Sequence, residues 1–188
     1  MSARPDILFL DANVLYSACS RDLLIEASLR GLCHCRWTDQ VLSEVRVALH
    51  RKRPDLRPQQ LDWLFTLLAL ACPEAQARLR PEVSLRSLSL IDAADGHVIQ
   101  GAYAARADAI ITFNLRHFPR RDLGPLGLKA MTPDQWLLAK AQADPVGVRE
   151  LVERCRLRLA RPPLSKPDHI KALRRSGLTR LAAFLTSM

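Results

Sequence analysis

The chain has no Cys-x-x-Cys pair, no apolar run long enough to cross a membrane, no internal repeat and no low-complexity segment, and it is short of acid. Each absence removes a class of protein. Five cysteines, Cys19, Cys33, Cys35, Cys72 and Cys155, are odd in number and carry no ligand spacing. They speak against a disulfide framework and a zinc ribbon, and fit a reducing cytoplasm. The apolar stretch Ile7 to Leu10 is too short for a signal-peptide core and is interrupted by Asp11. A soluble, cytoplasmic protein with no membrane association is expected. Only 19 Asp and Glu stand against 28 Lys and Arg, a formal charge of +9 that favours an anionic partner without identifying it.

With 188 residues, 48% of them hydrophobic, the chain can build one main core and a small appendage. Ile7 to Leu10 reads as a buried strand, and Leu15 to Leu29 repeats apolar residues at helical spacing up to a stop at Gly31. Cys33 to Trp37 is a second short strand. Thr38 or Asp39 then caps a helix with Val41, Leu42, Val45, Ala48 and Leu49 on one stripe. Helical patterns follow over Pro58 to Ala71 and over Asp92 to Ala105, the latter capped by Asp92 and leading into the strand "AIIT". Leu128 to Met131 is the last strand, and "TPDQW" starts a helix with Thr132 as cap and Pro133 at its first position. Strands alternating with helices predict an α/β domain with a mainly parallel sheet. Beyond Pro145 only helical patterns remain, broken by "RPPLSKP", so a small helical extension is expected.

Loops leaving the carboxyl ends of parallel strands gather on one edge, and helices that follow strands begin there. Asp11 leaves the end of the first strand. Thr112 and Asn114 leave the end of "AIIT", and Glu44 lies in the first turns of a helix that follows a strand. Asp92 and Asp95 open the helix that feeds "AIIT", so they start at the same edge, three apart and on one face. Asp11, Glu44 and Asp95, with Asn114 or Asp92 beside them, would form a carboxylate cluster inside a basic protein. Such a cluster repels itself unless it is protonated or binds cations.

Mg²⁺ or Mn²⁺ suits an all-oxygen donor set and keeps waters for chemistry. One or two such ions would activate water and stabilise the charge that develops on a phosphodiester, uniting an acidic centre with a basic periphery. Each residue also has a plainer role. Asp92 reads first as a helix cap, Asp95 as a partner of the helix dipole, and Glu44 as one charge on a solvated face. His97 is structural on this reading. Asn13, Thr112, Arg116 and His117 surround the same edge and are read as substrate-positioning residues, with Arg116 and His117 placed to hold a backbone phosphate.

These segments resemble the PIN-domain family of metal-dependent ribonucleases, and in particular the VapC-type toxins of toxin–antitoxin pairs. "LDANVL" is similar to the family's first-strand motif, "LSEVRVAL" to its Glu-bearing helix, and "DAADGHVIQGAYAARADAIITFNLRHFP" to its third acid and following strand end. The resemblance implies a three-layer α/β/α PIN-like domain, placed over residues 1–142, with the helical extension read from the later patterns over 143–188. It implies that Asp11, Glu44 and Asp95 ligate Mg²⁺ or Mn²⁺, with Asn114 in the fourth position. Many members have Asp there, so a second metal would depend on Asp92. An RNA substrate, a cognate antitoxin and a homodimer are likewise implied.

The extension carries Arg149, Arg154, Arg156, Arg158, Arg161, Lys166, Lys171, Arg174, Arg175 and Arg180, an expected phosphate-tracking surface. A solvated basic face and a docking site for an acidic antitoxin are the competing readings of that run. The rival to the nuclease as a whole is an RNA-binding or antitoxin-docked regulatory protein with a vestigial metal site. A DNA nuclease is a further alternative, since the same metal chemistry cuts either backbone.

Overall fold

Four short segments form the sheet. The computed structural model describes residues 4–78, 95–159 and 163–187. Its strands are β1 (Asp6–Leu10), β2 (Cys33–Arg36), β3 (Ala109–Ile111) and β4 (Ala130–Met131), all parallel in the order β2-β1-β3-β4. The fold is α/β with three layers, helices covering a mainly parallel sheet. β1 and β3 are apolar throughout their central residues because both faces are covered, and Leu8, Phe9, Leu10, Ile110 and Ile111 are fully buried. The last strand is shorter than its pattern suggested. Lys129 lends its carbonyl to Ile110, but only Ala130 and Met131 pair as strand, against Ile110 and Ile111.

The helices are α1 (Ala12–Tyr16), α2 (Ala18–Leu29), α3 (Asp39–Lys52), α4 (Pro58–Ala71), α5 (Gly96–Ala104), α6 (Arg120–Leu123), α7 (Pro133–Ala143), α8 (Pro145–Arg158), α9 (Lys166–Arg175) and α10 (Thr179–Thr186). The single helix expected from Leu15 to Leu29 is broken at Ser17. That residue is extended (ψ 106°), and the Arg21 guanidinium takes up the Leu15 carbonyl freed at the break. Thr38 caps α3 by accepting from the Val41 amide, and Thr132 opens α7 with a reciprocal capping box to Gln135. Asp92, expected to cap the helix before β3, lies outside the described residues. α5 packs on β1 and β3, and a Cβ at Gly101 would overlap the Phe9 ring, so this glycine sets the close approach of helix to sheet. No described helix is long and apolar enough to cross a membrane.

The expected extension does not stand apart from the sheet. α8 packs on α2 and α7, α10 packs on α7 and α9, and Leu151, Leu173, Leu178 and Leu181 join the same buried cluster as Phe9 and Ile110. One contact ties the two parts through the backbone. The carboxylate of Asp134, in the first turn of α7, accepts from the amides of Arg180 (3.0 Å) and Leu181 (2.9 Å) at the start of α10. It serves as a cap supplied from another helix, satisfying donors that α10 has no side chain of its own to meet. Asp134→Ala is therefore expected to cost about 1–2 kcal/mol, lowering the melting temperature by several degrees, with Asp134→Asn retaining part of it. A thermal melt unchanged in the alanine variant would contradict this role.

All five thiols are unbonded. Burial, and then the Glu26 charge, push the Cys155 thiol up to about 12, so it stays protonated and unreactive at neutral pH.

Candidate active site

Register builds the centre of the site. Leu10 pairs with Ile111, so the next residues, Asp11 and Thr112, leave neighbouring strands side by side. The chain crosses from β1 to β2 on one side and β3 leads to β4 on the other, so this is also the point where the sheet order reverses. Crevices at such points are where open α/β sheets bind ligands. The Asp11 amide donates to the Ile111 carbonyl (3.0 Å), fixing the backbone at the split.

Asp11 is only 7% exposed, and its Oδ2 accepts from the Thr112 hydroxyl and from Asn13 Nδ2, both at 2.6 Å. Thr112 Oγ1 in turn accepts from the Asn114 amide (3.0 Å), and Asn13 Oδ1 accepts from the Phe113 amide (3.0 Å). Asn13 and Thr112 therefore brace the carboxylate and the loop after β3. Both side chains, expected to position substrate, are engaged within the protein: Thr112 is fully buried, and both polar ends of Asn13 are bonded. Burial raises the Asp11 carboxyl above the usual carboxylate range, the Thr112 hydrogen bond opposes the shift, and the Asp95 charge adds to it.

The other two carboxylates meet imidazoles. Glu44, in the second turn of α3, lies with Oε1 2.9 Å from His97 Nε2 of α5, although that imidazole nitrogen makes no aligned hydrogen bond. Burial raises the Glu44 carboxyl, His97 opposes this, and Asp11 and Asp95 raise it further. Asp95 stands at the N-cap position of α5 but makes no capping bond. Its Oδ2 lies 2.6 Å from His117 Nδ1 instead. The same nitrogen is 2.9 Å from Asn114 Nδ2, while Asn114 Oδ1 accepts from Arg116 Nε at 3.1 Å. One nitrogen cannot donate to a carboxylate and accept from an amide at once. The shorter contact favours an N–H directed at Asp95.

Asp11, Glu44 and Asp95 thus lie within one another's electrostatic field, drawn from β1, α3 and α5, with Asn114 next to Asp95 through His117. Among the described residues, no three His, Cys, Asp or Glu side chains converge closely enough to surround an ion as they now stand. Two of the three carboxylates instead have an imidazole nitrogen as near neighbour, Glu44 that of His97 and Asp95 that of His117. His97 is a site neighbour that sequence reasoning left as structural. Its signal was present in its place two residues after Asp95, at the start of a helix that opens on the acidic edge.

A search of protein-family models finds the PIN domain over residues 8–116, the span holding Asp11, Glu44, Asp95 and Asn114. The chain belongs to the PIN-domain family. A second model, the VapC50 C-terminal domain, matches residues 133–187, taking α7 together with the helices after it. A Mycobacterium tuberculosis (strain ATCC 25618 / H37Rv) protein named "Putative ribonuclease VapC50" is 48% identical over 44 residues. That stretch covers 23% of this chain and 26% of the relative, so the alignment spans about a quarter of each protein. No solved structure matches the chain.

The basic run of the C-terminal helices is less available to a ligand than its composition suggested. Arg154 and Arg158 reach the buried Glu26 (3.2 and 2.7 Å), Arg156 pairs with Glu153 (2.7 Å), and Lys171 pairs with Asp168 (3.2 Å). Arg161 lies outside the described residues. Arg149, Lys166, Arg174, Arg175 and Arg180 have no ion pair among the described residues. Neither does Arg116, which is exposed beside Asn114.

Proposed function

We propose that this PIN-domain protein is a metal-dependent endoribonuclease and the toxin of a type II toxin–antitoxin pair. The observation that carries the reading is the convergence of Asp11, Glu44 and Asp95 from three separate elements on the sheet's reversal point. Two of them, Asp11 and Glu44, are held above the ordinary carboxylate range by burial and mutual repulsion. A divalent cation relieves that repulsion, and an all-oxygen donor set fits Mg²⁺ or Mn²⁺. Asp11, Glu44 and Asp95 would hold it, with Asn114 as the fourth donor and Asp92 as a candidate on the segment outside the description. When bound, the ion supplies a lowered pKa for water and stabilises charge on the phosphoryl oxygens.

The chain's own residues do the rest. Thr112 and Asn13 lock the Asp11 carboxylate in one orientation, so no reorganisation is needed as the reaction proceeds. Arg116, exposed at the rim and oriented by Asn114, is placed to hold a backbone phosphate. His117, directed at Asp95, and His97, beside Glu44, orient the two outer carboxylates. The likeness to VapC50 supports RNA as the substrate. Trp63 and Leu70 on the outer side of α4 are largely exposed and support docking of an antitoxin or a second copy of the chain.

One observation favours the rival reading of a binding protein with a vestigial site: Glu44 and Asp95 are each matched to an imidazole instead of being gathered round one point. Cleavage decides between them. With purified, partner-free protein, RNA is expected to be cut in Mg²⁺ or Mn²⁺ and left intact in chelator, with activity restored on adding the ion back. RNA that is bound equally well in chelator and never cut would move the binding-protein reading ahead.

A further inference from the structure

Phe113 sits between two residues of the site and has no task in the reading above. Thr112 before it holds Asp11, and Asn114 after it meets His117 and Arg116. A phenyl ring costs free energy in water and is ordinarily turned inward. Here 36% of the residue stays open to solvent at the catalytic edge. Its backbone is not loose, because its amide is pinned by Asn13.

One side of the ring is covered from far along the chain. The turn joining α9 to α10 passes against it at Gly177, whose φ is +81°, and a Cβ built there would stand 3.0 Å from Phe113 Cε1. Glycine meets two demands at this point, the left-handed turn and the close approach to the ring. The covering turn also brings charge. Arg174 and Arg175 are exposed in the last turn of α9, immediately before it, while exposed Arg116 follows Phe113 by three residues.

We propose that Phe113 is a stacking platform for one unpaired base of the RNA strand, held in place by the α9–α10 turn, with Arg116, Arg174 and Arg175 supplying phosphate contacts around it. A part-exposed aromatic ring with exposed arginines on the neighbouring segments, beside the proposed phosphodiester-cutting centre, matches a single strand, whose bases present free faces between charged phosphates. A duplex, with its bases already stacked, offers no such face. The proposal rests on the nuclease reading, and it makes the C-terminal helices part of the substrate site by way of Gly177.

The test measures binding apart from cleavage. In an Asp11→Asn background, the affinity of a short single-stranded RNA is compared by fluorescence anisotropy for Phe113, Phe113→Tyr and Phe113→Leu. The same RNA with one nucleotide made abasic at each position in turn, and its duplex, serve as partner probes. Leucine still fills space against Gly177, whereas only tyrosine keeps a π-face. The expected result is that Phe113→Leu weakens binding about 5- to 100-fold, that Phe113→Tyr restores it, and that the loss vanishes for one abasic position and for the duplex. Equal affinity for leucine and phenylalanine, or a loss that persists at every abasic position, overturns the proposal. Cleavage by the chain with Asp11 intact is scored separately. Metal-dependent cutting with no effect of Phe113→Leu on binding sinks the platform and leaves the nuclease. Phe113-dependent binding without any cutting sinks the nuclease and leaves the platform.

Discussion

Replacing Asp11 with asparagine is expected to reduce metal-supported RNA cleavage by about a thousandfold or more while the melting temperature at neutral pH holds or rises. The first effect follows because loss of a metal-holding carboxylate removes several kcal/mol of transition-state stabilisation, at about 1.4 kcal/mol per tenfold. The second follows from the pKa of Asp11, which burial raises above its ordinary value of 3.8. A group raised in the folded state contributes stability that is fully present below its unfolded pKa and is lost as pH rises through the folded one. At neutral pH the ionised Asp11 is thus a standing penalty, one that neutral asparagine avoids while still accepting from Thr112 and Asn13. Glu44 gains as well, since the Asp11 charge is among the influences that raise it. In metal-free buffer the variant's advantage should therefore widen between pH 3 and pH 7. A melting temperature lowered at pH 7, or cleavage that survives, would count against this assignment of Asp11.

The largest effect on stability is expected away from the site, at Glu26. This carboxylate, 2% exposed in α2, is surrounded by Arg30 Nε at 3.4 Å, Arg154 Nε at 3.2 Å and Arg158 Nη2 at 2.7 Å. It is the anion that fastens α8 to α2. Breaking a fully buried ion pair by removing one partner costs about 3–5 kcal/mol, because the charges left behind lose their compensation. Arg154 and Arg158 are more than half exposed and can turn to water, so Glu26→Gln is expected to cost about 2–3 kcal/mol. That corresponds to a fall in melting temperature of about 4–12 °C. Glu153→Gln, which removes a carboxylate that is itself 34% exposed, should change it by less than about 3 °C. Equal losses in the two variants would show that proximity to arginine, not burial, sets the effect.

The backbone of the site was legible because it follows from strand order alone. Once β1 and β3 are parallel neighbours, Asp11 and Thr112 must leave the sheet together. A helix after a strand brings Glu44 to the same edge, and a helix before one brings Asp95. What sequence could not resolve was rotation. Whether Glu44 faces His97 and Asp95 faces His117 depends on the azimuth of α3 and α5 and on the path of the loop after Asn114, none of which periodicity sets to better than a residue. Asn13 looked like a substrate contact because its amide is polar and near Asp11, and only the position of the Phe113 amide shows that amide to be engaged. For a related reason the sequence could not show which cations of the basic run are already paired. The partner of Arg154 and Arg158 is Glu26, more than a hundred residues earlier, and no local pattern joins them.

The Gly177 turn orders events during synthesis. The sheet and all three carboxylates leave the ribosome before residue 177. Until the α9–α10 turn arrives, Phe113 lacks its cover, and Asp134 lacks the two α10 amides that it binds. A nascent chain therefore displays its acidic edge before the element that props the adjoining loop.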